Sequence, residues 1–442
     1  MIKKELLDKL RSKTSKIGVI GLGYVGLPFC IAAANHGLDV LGFDIDQTKC
    51  TAISDEKSYL KHISASELSK AVQTGHFRAT TDFSRLNEPD ILVICVPTPL
   101  SAHLEPDLSY LVSTTESIAK KLRRGQMIIL ESTTYPGTTD EVVRPILERS
   151  GLVCNEDFFV AFSPEREDPG NDAFDTTTTP KVVGADNPDA RDVAQAFYEI
   201  FVNQVVMVSS TRAAEAVKLT ENIFRAVNIA LVNELKVIYE AMDVDIWEVV
   251  DAAKTKPFGY MAFYPGPGLG GHCIPIDPFY LTWKAKEFDI STRFIELAGQ
   301  INSTMPQRVV EKLAQGLDMR QRKGLNGARI LILGVAYKKN VDDMRESPAL
   351  KLIELLEKRG AETEFYDPFV PLIPPTRDHP NLTGRESLKW STDLAAAYDV
   401  TLIVTDHDGV DYSAILQHAP LVVDTRNACR KAGLNGENLI LA

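Results

Sequence analysis

An α/β fold is predicted for this 442-residue chain, with two doubly wound parallel-sheet domains joined by a long central helix and a helical domain. Three features carry that prediction. An apolar strand at Ile17 runs into a glycine turn and then a helix through Asn35. A strand and turn of the same kind begin at Arg329. Between them, residues 210–242 contain no glycine or proline and have the apolar periodicity of a long helix.

The first glycine turn has the spacing of a dinucleotide fingerprint. Gly21 permits the tight turn, Gly23 lets the backbone approach a pyrophosphate, and Gly26 allows close packing of helix on strand. Asp44 ends the next predicted strand, residues 38–43, and its carboxylate would accept hydrogen bonds from a ribose and repel a 2′-phosphate. NAD is therefore favoured over NADP. The alternative is a helix-capping turn with a surface aspartate.

Small polar residues follow the next two predicted strands, residues 90–96 and 127–130. Pro97, Thr98 and Thr133 stand there, and ligands of open parallel sheets bind beyond the carboxyl ends of strands. The C-terminal part repeats this pattern with a helix at residues 347–359 and strands at 363–366 and 400–404. It lacks the full set of glycines, which favours a group carried on a mononucleotide. The predicted domains are residues 1–208, 209–320 and 321–442, the outer two Rossmann-like and the central one helical.

Composition excludes several classes of protein. The formal net charge of −12 argues against a nucleic-acid surface. The six cysteines form no C-x-x-C pair, so neither a zinc site nor a disulfide framework is expected, and no metal is predicted. No apolar run approaches the length of a membrane span, and the charged N-terminus does not resemble a signal peptide. A cytoplasmic location with reduced thiols is expected.

A glycine-rich loop delivers a candidate nucleophile. Gly268, Gly270 and Gly271 precede Cys273, and Asp277 follows four residues later. Glycines let a substrate carbon approach the backbone closely, and a thiol beside a dinucleotide site suggests an oxidation through a thioester. The alternative is a buried cysteine acting as a small apolar residue.

Two polar side chains on the long helix are candidates for oxyanion stabilisation. Lys218 and Asn222 are four residues apart and project from one face. An ammonium and an amide there would stabilise an oxyanion and keep a thiol ionised. The alternative is a solvated lysine with Glu215 as its partner three residues earlier.

Six motifs in order resemble the UDP-glucose/GDP-mannose dehydrogenase family over nearly the whole chain. They are Gly-Leu-Gly-Tyr-Val-Gly-Leu-Pro at 21–28, Ser132-Thr133, Ser-Pro-Glu-Arg at 163–166, Glu-Ala-Val-Lys-Leu-Thr-Glu-Asn at 215–222, Gly-Gly-His-Cys-Ile-Pro-Ile-Asp at 270–277 and Asp-Met-Arg-Glu-Ser-Pro at 343–348. The motifs at 163–170 and 271–278 most resemble the UDP-N-acetylglucosamine 6-dehydrogenases.

The resemblance implies a two-step, four-electron oxidation of a nucleotide-linked hexose at C6, with NAD as acceptor. Cys273 would attack the C6 aldehyde, and the resulting thioester would be hydrolysed to a uronic acid. Lys218 and Asn222 match the oxyanion groups, and Thr133 and Asp277 match a pair that holds a water molecule. By the same resemblance, catalytic roles fall to Glu165 and Glu167, NAD contacts to Tyr24, Val25, Pro97, Thr98, Thr133 and Arg345, and substrate contacts to Glu165, Arg166, Lys218, Asn222, Arg225, Gly268, Gly270, Gly271 and Lys338.

The sequence departs from the commoner family pattern at three places. Glu165 and Glu167 are two residues apart rather than four, so Glu167 departs from the family spacing. Ile276 stands where many members have a lysine, and residues 254–264 hold no arginine to reach the sugar across a dimer. These differences favour UDP-N-acetylglucosamine, with UDP-glucose, UDP-N-acetylgalactosamine and UDP-N-acetylmannosamine as alternatives. Arg166 and Arg225 are candidates for the acetamido group or for structural ion pairs.

Two other functions compete. A two-electron hydroxyacid dehydrogenase would use Lys218 and Asn222 but would need neither the cysteine nor residues 329–442. A nucleotide sensor without activity would lack some catalytic position. The long helix also predicts a homodimer or higher homo-oligomer, and surface polysaccharide such as O-antigen is the expected destination of the product.

Overall fold

The computed structural model describes residues 2–60, 63–101, 104–166, 175–271, 274–376 and 378–442. The chain divides into two compact units, one of residues 1–221 with 279–291 and the other of residues 222–278 with 292–442. In these described ranges, no helix is both long enough and apolar enough to cross a membrane. The predicted division into three domains is not tested by this two-way division and stays a prediction.

The α-helices and β-strands alternate along most of the chain. The helices are α1 Ile2–Arg11, α2 Gly26–Asn35, α3 Gln47–Ser54, α4 Ala65–Gln73, α5 Ser109–Ala119, α6 Arg144–Glu148, α7 Pro188–Tyr198, α8 Thr211–Ala241, α9 Ile246–Lys254, α10 Asp277–Ala285, α11 Arg293–Gln321, α12 Pro348–Lys358, α13 Tyr412–His418 and α14 Ala428–Lys431. The strands are β1 Lys16–Ile20, β2 Asp39–Phe43, β3 Phe77–Thr80, β4 Ile91–Ile94, β5 Met127–Leu130, β6 Phe159–Phe162, β7 Lys181–Gly184, β8 Val205–Val208, β9 Arg329–Leu333, β10 Glu362–Tyr366, β11 Val400–Ile403, β12 Val422–Asp424 and β13 Leu439–Leu441.

The first unit contains an eight-stranded sheet in the order β3-β2-β1-β4-β5-β6-β7-β8. The sheet is buried on both faces, as strand β4 illustrates. Ile91 and Val93 pack into one apolar cluster, and Leu92 and Ile94 pack into another. Such an unbroken apolar run is typical of a parallel strand covered on both sides. The pairs are parallel except β6 with β7, which is antiparallel. This one reversed pair differs from a purely parallel sheet.

The second unit contains a parallel five-stranded sheet in the order β10-β9-β11-β12-β13. Its details repeat those of the first sheet. The backbone N–H of Lys16 donates to Asp90 at 3.1 Å, and that of Arg329 donates to Asp399 at 2.7 Å. The two Rossmann-like sheets predicted from the sequence are therefore confirmed, together with the long helix.

Helix α8 matches the predicted long helix to within one residue at each end, and Asp245 caps α9 by accepting the N–H of Trp247 at 2.9 Å. The 29-residue helix α11 is not among the predicted elements. It contains Pro306, which removes one backbone donor and usually marks a helix end in a sequence pattern. Here the proline is buried within the helix.

Candidate functional site

The glycine turn after β1 forms an open backbone cradle. Gly21 has φ +95°, and a Cβ atom on Gly26 would lie 1.9 Å from the carbonyl oxygen of Gly21. Gly23 faces open space, with nothing within 4 Å of an added Cβ. Only glycine therefore fits the turn at Gly21 and Gly26. The open space at Gly23 leaves room for a phosphate beside the N-terminus of α2. The turn fits a dinucleotide.

Asp44 lies at the end of β2 and is almost fully buried. Its Oδ2 accepts the N–H of Leu22 at 2.9 Å and the ammonium of Lys49 at 2.9 Å. Its Oδ1 accepts the N–H of Asp46 at 2.9 Å. An ionised carboxylate offers about four acceptor positions, so Oδ1 retains capacity for one further donor. The residue that the sequence assigns to a ribose also holds the glycine turn in place.

The residues after β4 and β5 are joined to one another. The Thr98 hydroxyl donates to the carbonyl oxygen of Thr133 at 2.7 Å, and the Tyr280 hydroxyl donates to the carbonyl of Thr98 at 2.6 Å. Thr98 is buried and Thr133 is half-buried. The two loops are therefore adjacent, and Tyr280 supports them from α10. Nothing in the local sequence identified Tyr280 as part of this network.

Lys218 is buried on α8 and its ammonium is held by Glu165. The Nζ atom donates to the Glu165 carbonyl oxygen at 2.5 Å and lies 3.6 Å from a carboxylate oxygen of the same residue. Glu215, three residues earlier, is not its ion-pair partner, so the alternative of a solvated lysine paired with Glu215 does not describe the structure. A buried ammonium held in one position can stabilise a negative charge that develops on a nearby reacting atom.

Glu215 instead holds the loop after β5. Its fully buried carboxylate accepts the N–H of Gly137 at 2.5 Å, the N–H of Thr139 at 2.9 Å and the Thr139 hydroxyl at 2.7 Å. Burial raises the pKa of Glu215 to about 7, against the hydrogen bonds that favour its ionised form. Glu215 thereby fixes the start of α8 to the segment that follows Thr133. The position three residues before Lys218 was its only signal in the sequence.

In the second unit, Asn222 and Asp277 form a buried hydrogen bond. The Asn222 amide donates to an Asp277 carboxylate oxygen at 2.5 Å, and the two side chains are 5% and 1% exposed. Asn222 follows Lys218 by one turn of α8, while Asp277 begins α10. The bond ties the long helix to the segment that carries Cys273. Cys273 and Glu167 themselves lie outside the described residues.

The glycine loop before Cys273 packs on the segment that contains Lys338 and Arg345. The N–H of Gly271 donates to the carbonyl oxygen of Arg345 at 3.0 Å. A Cβ atom on Gly271 would lie 2.9 Å from the Tyr337 ring, and φ is +82° there. The predicted substrate positions Gly268, Gly270 and Gly271 thus lie against the segment that carries Lys338, a predicted substrate contact, and Arg345, a predicted NAD contact. The ring of Tyr337, which was not predicted to take part, packs against the loop at Gly271.

The two candidate arginines differ in environment. Arg166 donates to both carboxylate oxygens of Glu221, at 2.5 and 3.3 Å, and to the carbonyl of Pro180 at 2.6 Å. The sequence left two roles open for Arg166, a sugar contact and a structural ion pair. In the structure Arg166 forms an ion pair, with Glu221. Arg225 is exposed. Among the described residues no cluster of three or more His, Cys, Asp or Glu is arranged to hold a metal ion.

Comparison with known proteins assigns the family. Residues 15–202, 212–304 and 331–431 match, in turn, the NAD binding domain, the central domain and the UDP binding domain of the UDP-glucose/GDP-mannose dehydrogenase family. The chain belongs to this family. The predicted family, fold and NAD cofactor are confirmed, and the protein is an NAD-dependent UDP-sugar dehydrogenase.

Three relatives of this dehydrogenase are similar over most of both chains. A UDP-N-acetyl-D-glucosamine 6-dehydrogenase of Pseudomonas aeruginosa is 36% identical over 81% of this chain and 84% of its own length. An NDP-N-acetyl-D-galactosaminuronic acid dehydrogenase of Ralstonia nicotianae is 34% identical over 88% and 90%. The solved structure of a UDP-D-ManNAc dehydrogenase from Pyrococcus horikoshii has a TM-score of 0.85 and 32% identity, covering 96% and 98%.

Proposed function

We propose that this dehydrogenase oxidises the C6 hydroxyl of a UDP-N-acetylhexosamine to the uronic acid, with UDP-N-acetylglucosamine as the preferred substrate. The alcohol first becomes an aldehyde, which the Cys273 thiolate captures as a thiohemiacetal. Loss of a second hydride gives a thioester, and water cleaves it to the carboxylate and the free thiol. One sugar and one water thus give one uronate, two NADH and three protons.

The buried Asn222–Asp277 hydrogen bond is the observation that carries this proposal. It fixes an amide donor of α8 to the start of α10, four residues after Cys273 in the chain. A simple alcohol dehydrogenase has no need to hold a cysteine segment in this way. In our proposal Asn222 donates to the oxyanion of the tetrahedral species, and Asp277 orients and activates the attacking water together with Thr133.

Lys218 supplies the positive charge in the proposed mechanism. Its ammonium is buried and held by Glu165, so little reorganisation is needed when an oxyanion develops. Glu165, at 12% side-chain exposure, would exchange a hydrogen bond between Lys218 and substrate in this mechanism. Glu167 is assigned to thioester hydrolysis by the family resemblance alone.

The glycine turn and Asp44 would hold NAD. NAD accepts the hydride in each of the two oxidation steps. Gly21, Gly23 and Gly26 leave the backbone open to its pyrophosphate, Asp44 would accept a ribose hydroxyl, and Thr98 fixes the loop against which the nicotinamide end would lie. The remaining predicted contacts, Tyr24, Val25, Pro97, Thr133 and Arg345, stay predictions.

The names of the relatives do not identify the sugar, so its choice rests on features of the sequence. Their names include N-acetylglucosamine, N-acetylmannosamine and N-acetylgalactosaminuronic acid enzymes. Ile276 is buried at the position where many members carry lysine, which removes a charge near the sugar and leaves room for an acetamido group. A pocket that leaves the acetamido N–H or carbonyl unpaired would lose roughly 1–3 kcal/mol for each.

Two measurements test the chemistry. We expect two NADH for each sugar consumed, and one NADH with free aldehyde would instead support a two-electron enzyme of the hydroxyacid dehydrogenase type. Cys273→Ser should bind NAD but turn over poorly. Cys154→Ser is the matched control, because burial raises the pKa of the Cys154 thiol to about 11 and keeps it unreactive. Equal loss of turnover in both variants would contradict the role of Cys273.

A substrate panel tests the sugar. We expect kcat/KM for UDP-N-acetylglucosamine to exceed the values for UDP-glucose, UDP-N-acetylgalactosamine and UDP-N-acetylmannosamine. A preference for UDP-glucose would refute the N-acetylhexosamine assignment and leave the thioester chemistry intact. A preference for either of the other two N-acetyl sugars would change only the epimer.

We also propose that the protein is a homodimer or a higher homo-oligomer of the cytoplasm. Phe224, Leu231 and Ile238 lie seven residues apart on one face of α8 and are 47%, 49% and 45% exposed. An apolar stripe at this spacing suits pairing with the same helix of a second copy. A reduced catalytic thiol suits the cytoplasm. The uronic acid would then serve surface polysaccharide synthesis.

A further inference from the structure

The second unit contains a cavity that the proposed reaction does not use. It has a volume of about 600 Å³ and lies among α8, the start of α9, α11 and β13. Lys236 of α8 lines it, 14 residues beyond Asn222 and therefore ~21 Å along the helix. Lys236 is also rotated by about 140° from Leu231, so the cavity does not open on the apolar face of α8. This volume lies in the range of small-molecule sites.

The walls combine an aromatic and aliphatic surface with charged groups. Trp247, Ile440 and Leu441 supply apolar surface. The lining also carries four cationic and three acidic side chains. They are Lys236, Lys312, Arg320 and Arg430, with Glu240, Asp243 and Asp245.

Most of these charges already have partners within the unit. Lys312 pairs with Glu240, and Arg430 pairs with Asp245. The Arg320 guanidinium donates to the carbonyl oxygen of Glu437. Three of the four cations are therefore engaged by protein groups.

Lys236 is the exception. Its side chain is only 7% exposed, and in the described part of the chain it has neither a hydrogen bond nor an ion pair. Burial lowers the pKa of Lys236 to about 8. Glu240 and Asp424 act in the opposite direction, while Lys312 and Arg426 lower it further. A buried ammonium without a partner is costly, and an oxyanion in the cavity would supply that partner.

We propose that this cavity is a binding site for a small organic oxyanion, a phosphorylated or carboxylated metabolite. The oxyanion would lie among Lys236, Lys312 and Arg430, and its carbon skeleton would pack on Ile440 and Leu441. Charge-assisted hydrogen bonds to a desolvated ammonium are strong, and the aliphatic wall accepts an apolar body. The site is separate from the proposed reaction centre and holds a ligand other than the oxidised sugar.

Pyridoxal 5′-phosphate tests the site because it combines a phosphate, an aromatic ring and an aldehyde that reacts with neutral amines. With the phosphate held by Lys312 and Arg430 at the wall, the aldehyde would meet the neutral form of Lys236 and condense with it, releasing water, and borohydride would reduce the imine to a stable secondary amine. Peptide mapping then gives the labelling rate of each lysine. We expect Lys236 to be labelled at least tenfold faster than Lys351, whose side chain is 55% exposed. Pyridoxal, which has no phosphate, should lose most of this preference.

Inorganic phosphate provides a second measurement that needs no covalent step. It should slow the labelling of Lys236 but not of Lys351, and it should raise the thermal midpoint of the unaltered protein and of Lys236→Arg. It should raise the midpoint of Lys351→Met as much as that of the unaltered protein, and the midpoint of Lys236→Met much less. Equal labelling of Lys236 by pyridoxal and its phosphate, absence of labelling there, or equal phosphate stabilisation of Lys236→Met would each overturn the proposal.

Discussion

Replacing Lys236 by Met should stabilise the protein at neutral pH. The pKa of this lysine falls from 10.5 to about 8 on folding, mainly because its ammonium is desolvated. The two values differ by about 2.5, and one pKa unit corresponds to about 1.36 kcal/mol, so the charged lysine costs about 3 kcal/mol. Methionine has a similar length and carries no charge, so it removes this cost while filling the same space.

The pH dependence gives this prediction its sign. Above pH 10.5 the lysine is neutral in both the folded and the unfolded chain, and it costs nothing. As the pH falls from 10.5 towards the folded pKa of about 8, the unfolded chain binds the proton while the folded chain does not, so stability is lost across this range and no further below it. The advantage of Lys236→Met should therefore be about 3 kcal/mol at pH 7 and about 1.4 kcal/mol at pH 9.5.

Thermal unfolding of both proteins at these two pH values provides the assay, in a buffer without phosphate or carboxylate. For a unit of about 200 residues, 1 kcal/mol corresponds to about 2–4 °C, so the variant should melt about 6–12 °C higher at pH 7. The gap should shrink by about half at pH 9.5. Lys351→Met is the control and should change neither midpoint appreciably. A gap that does not depend on pH, or a variant that melts lower at pH 7, would refute the reasoning.

Three further predictions concern the reaction and the assembly. Asp44→Asn should raise the KM for NAD by about tenfold and increase the relative rate with NADP, because one charged hydrogen bond is worth ~1.5–3 kcal/mol. Steady-state kinetics with both cofactors checks this, with the α3 cap variant Asp46→Asn as control, and equal use of NAD and NADP by the unaltered protein would contradict it. Glu215→Gln should lower kcat at least tenfold and remove any decline in kcat below pH 7, since the pKa of Glu215 is raised to about 7 by burial; identical pH profiles would exclude this role. Leu231→Lys should give smaller particles by sedimentation, whereas Leu372→Lys, altered at a similarly exposed leucine, should not, and an unchanged assembly in both would remove α8 from the interface.

Local sequence patterns were enough to predict those elements whose conformation is set by neighbouring residues. The strand at residues 91–94 was predictable because its side chains alternate between two apolar clusters, and α8 because its apolar face recurs with the helical period. The glycine turn was predictable because glycine is needed both for the positive φ at Gly21 and for the close approach at Gly26. Each of these signals is local in the sequence.

Long-range contacts determine what the sequence did not predict. Glu215 was considered as a partner of Lys218 because they are neighbours on α8, yet its acceptors are filled by donors 76 and 78 residues away. The burial of Lys236 depends on α9, α11 and β13, which no local pattern brings together. Pro306 inside α11 favours a helix end in a local pattern, but a helix that buries one face can retain a proline there when its packing outweighs one lost hydrogen bond.

The two Rossmann-like sheets carry the same aspartate, and its surroundings explain why only the first would hold a dinucleotide. Asp367 ends β10 as Asp44 ends β2, and its Oδ2 accepts the N–H groups of Val335 and Ala336 at 2.7 and 3.1 Å. The buried ring of His407 adds a third donor to Oδ2 at 3.0 Å. The N–H of Asn340 donates to Nδ1 of this ring at 2.9 Å, so the hydrogen pattern assigns the ring proton to Nε2.

Two more donors occupy the other oxygen of Asp367. Oδ1 accepts the N–H groups of Phe369 and Val370 at 2.8 and 3.0 Å. Five donors exceed the four acceptor positions of a carboxylate, whereas Asp44 has three donors and one position left. A ribose hydroxyl can therefore be accepted by the first aspartate and not by the second. The second sheet keeps the fold of a dinucleotide domain, but its aspartate serves only to hold the loop that begins at Gly334.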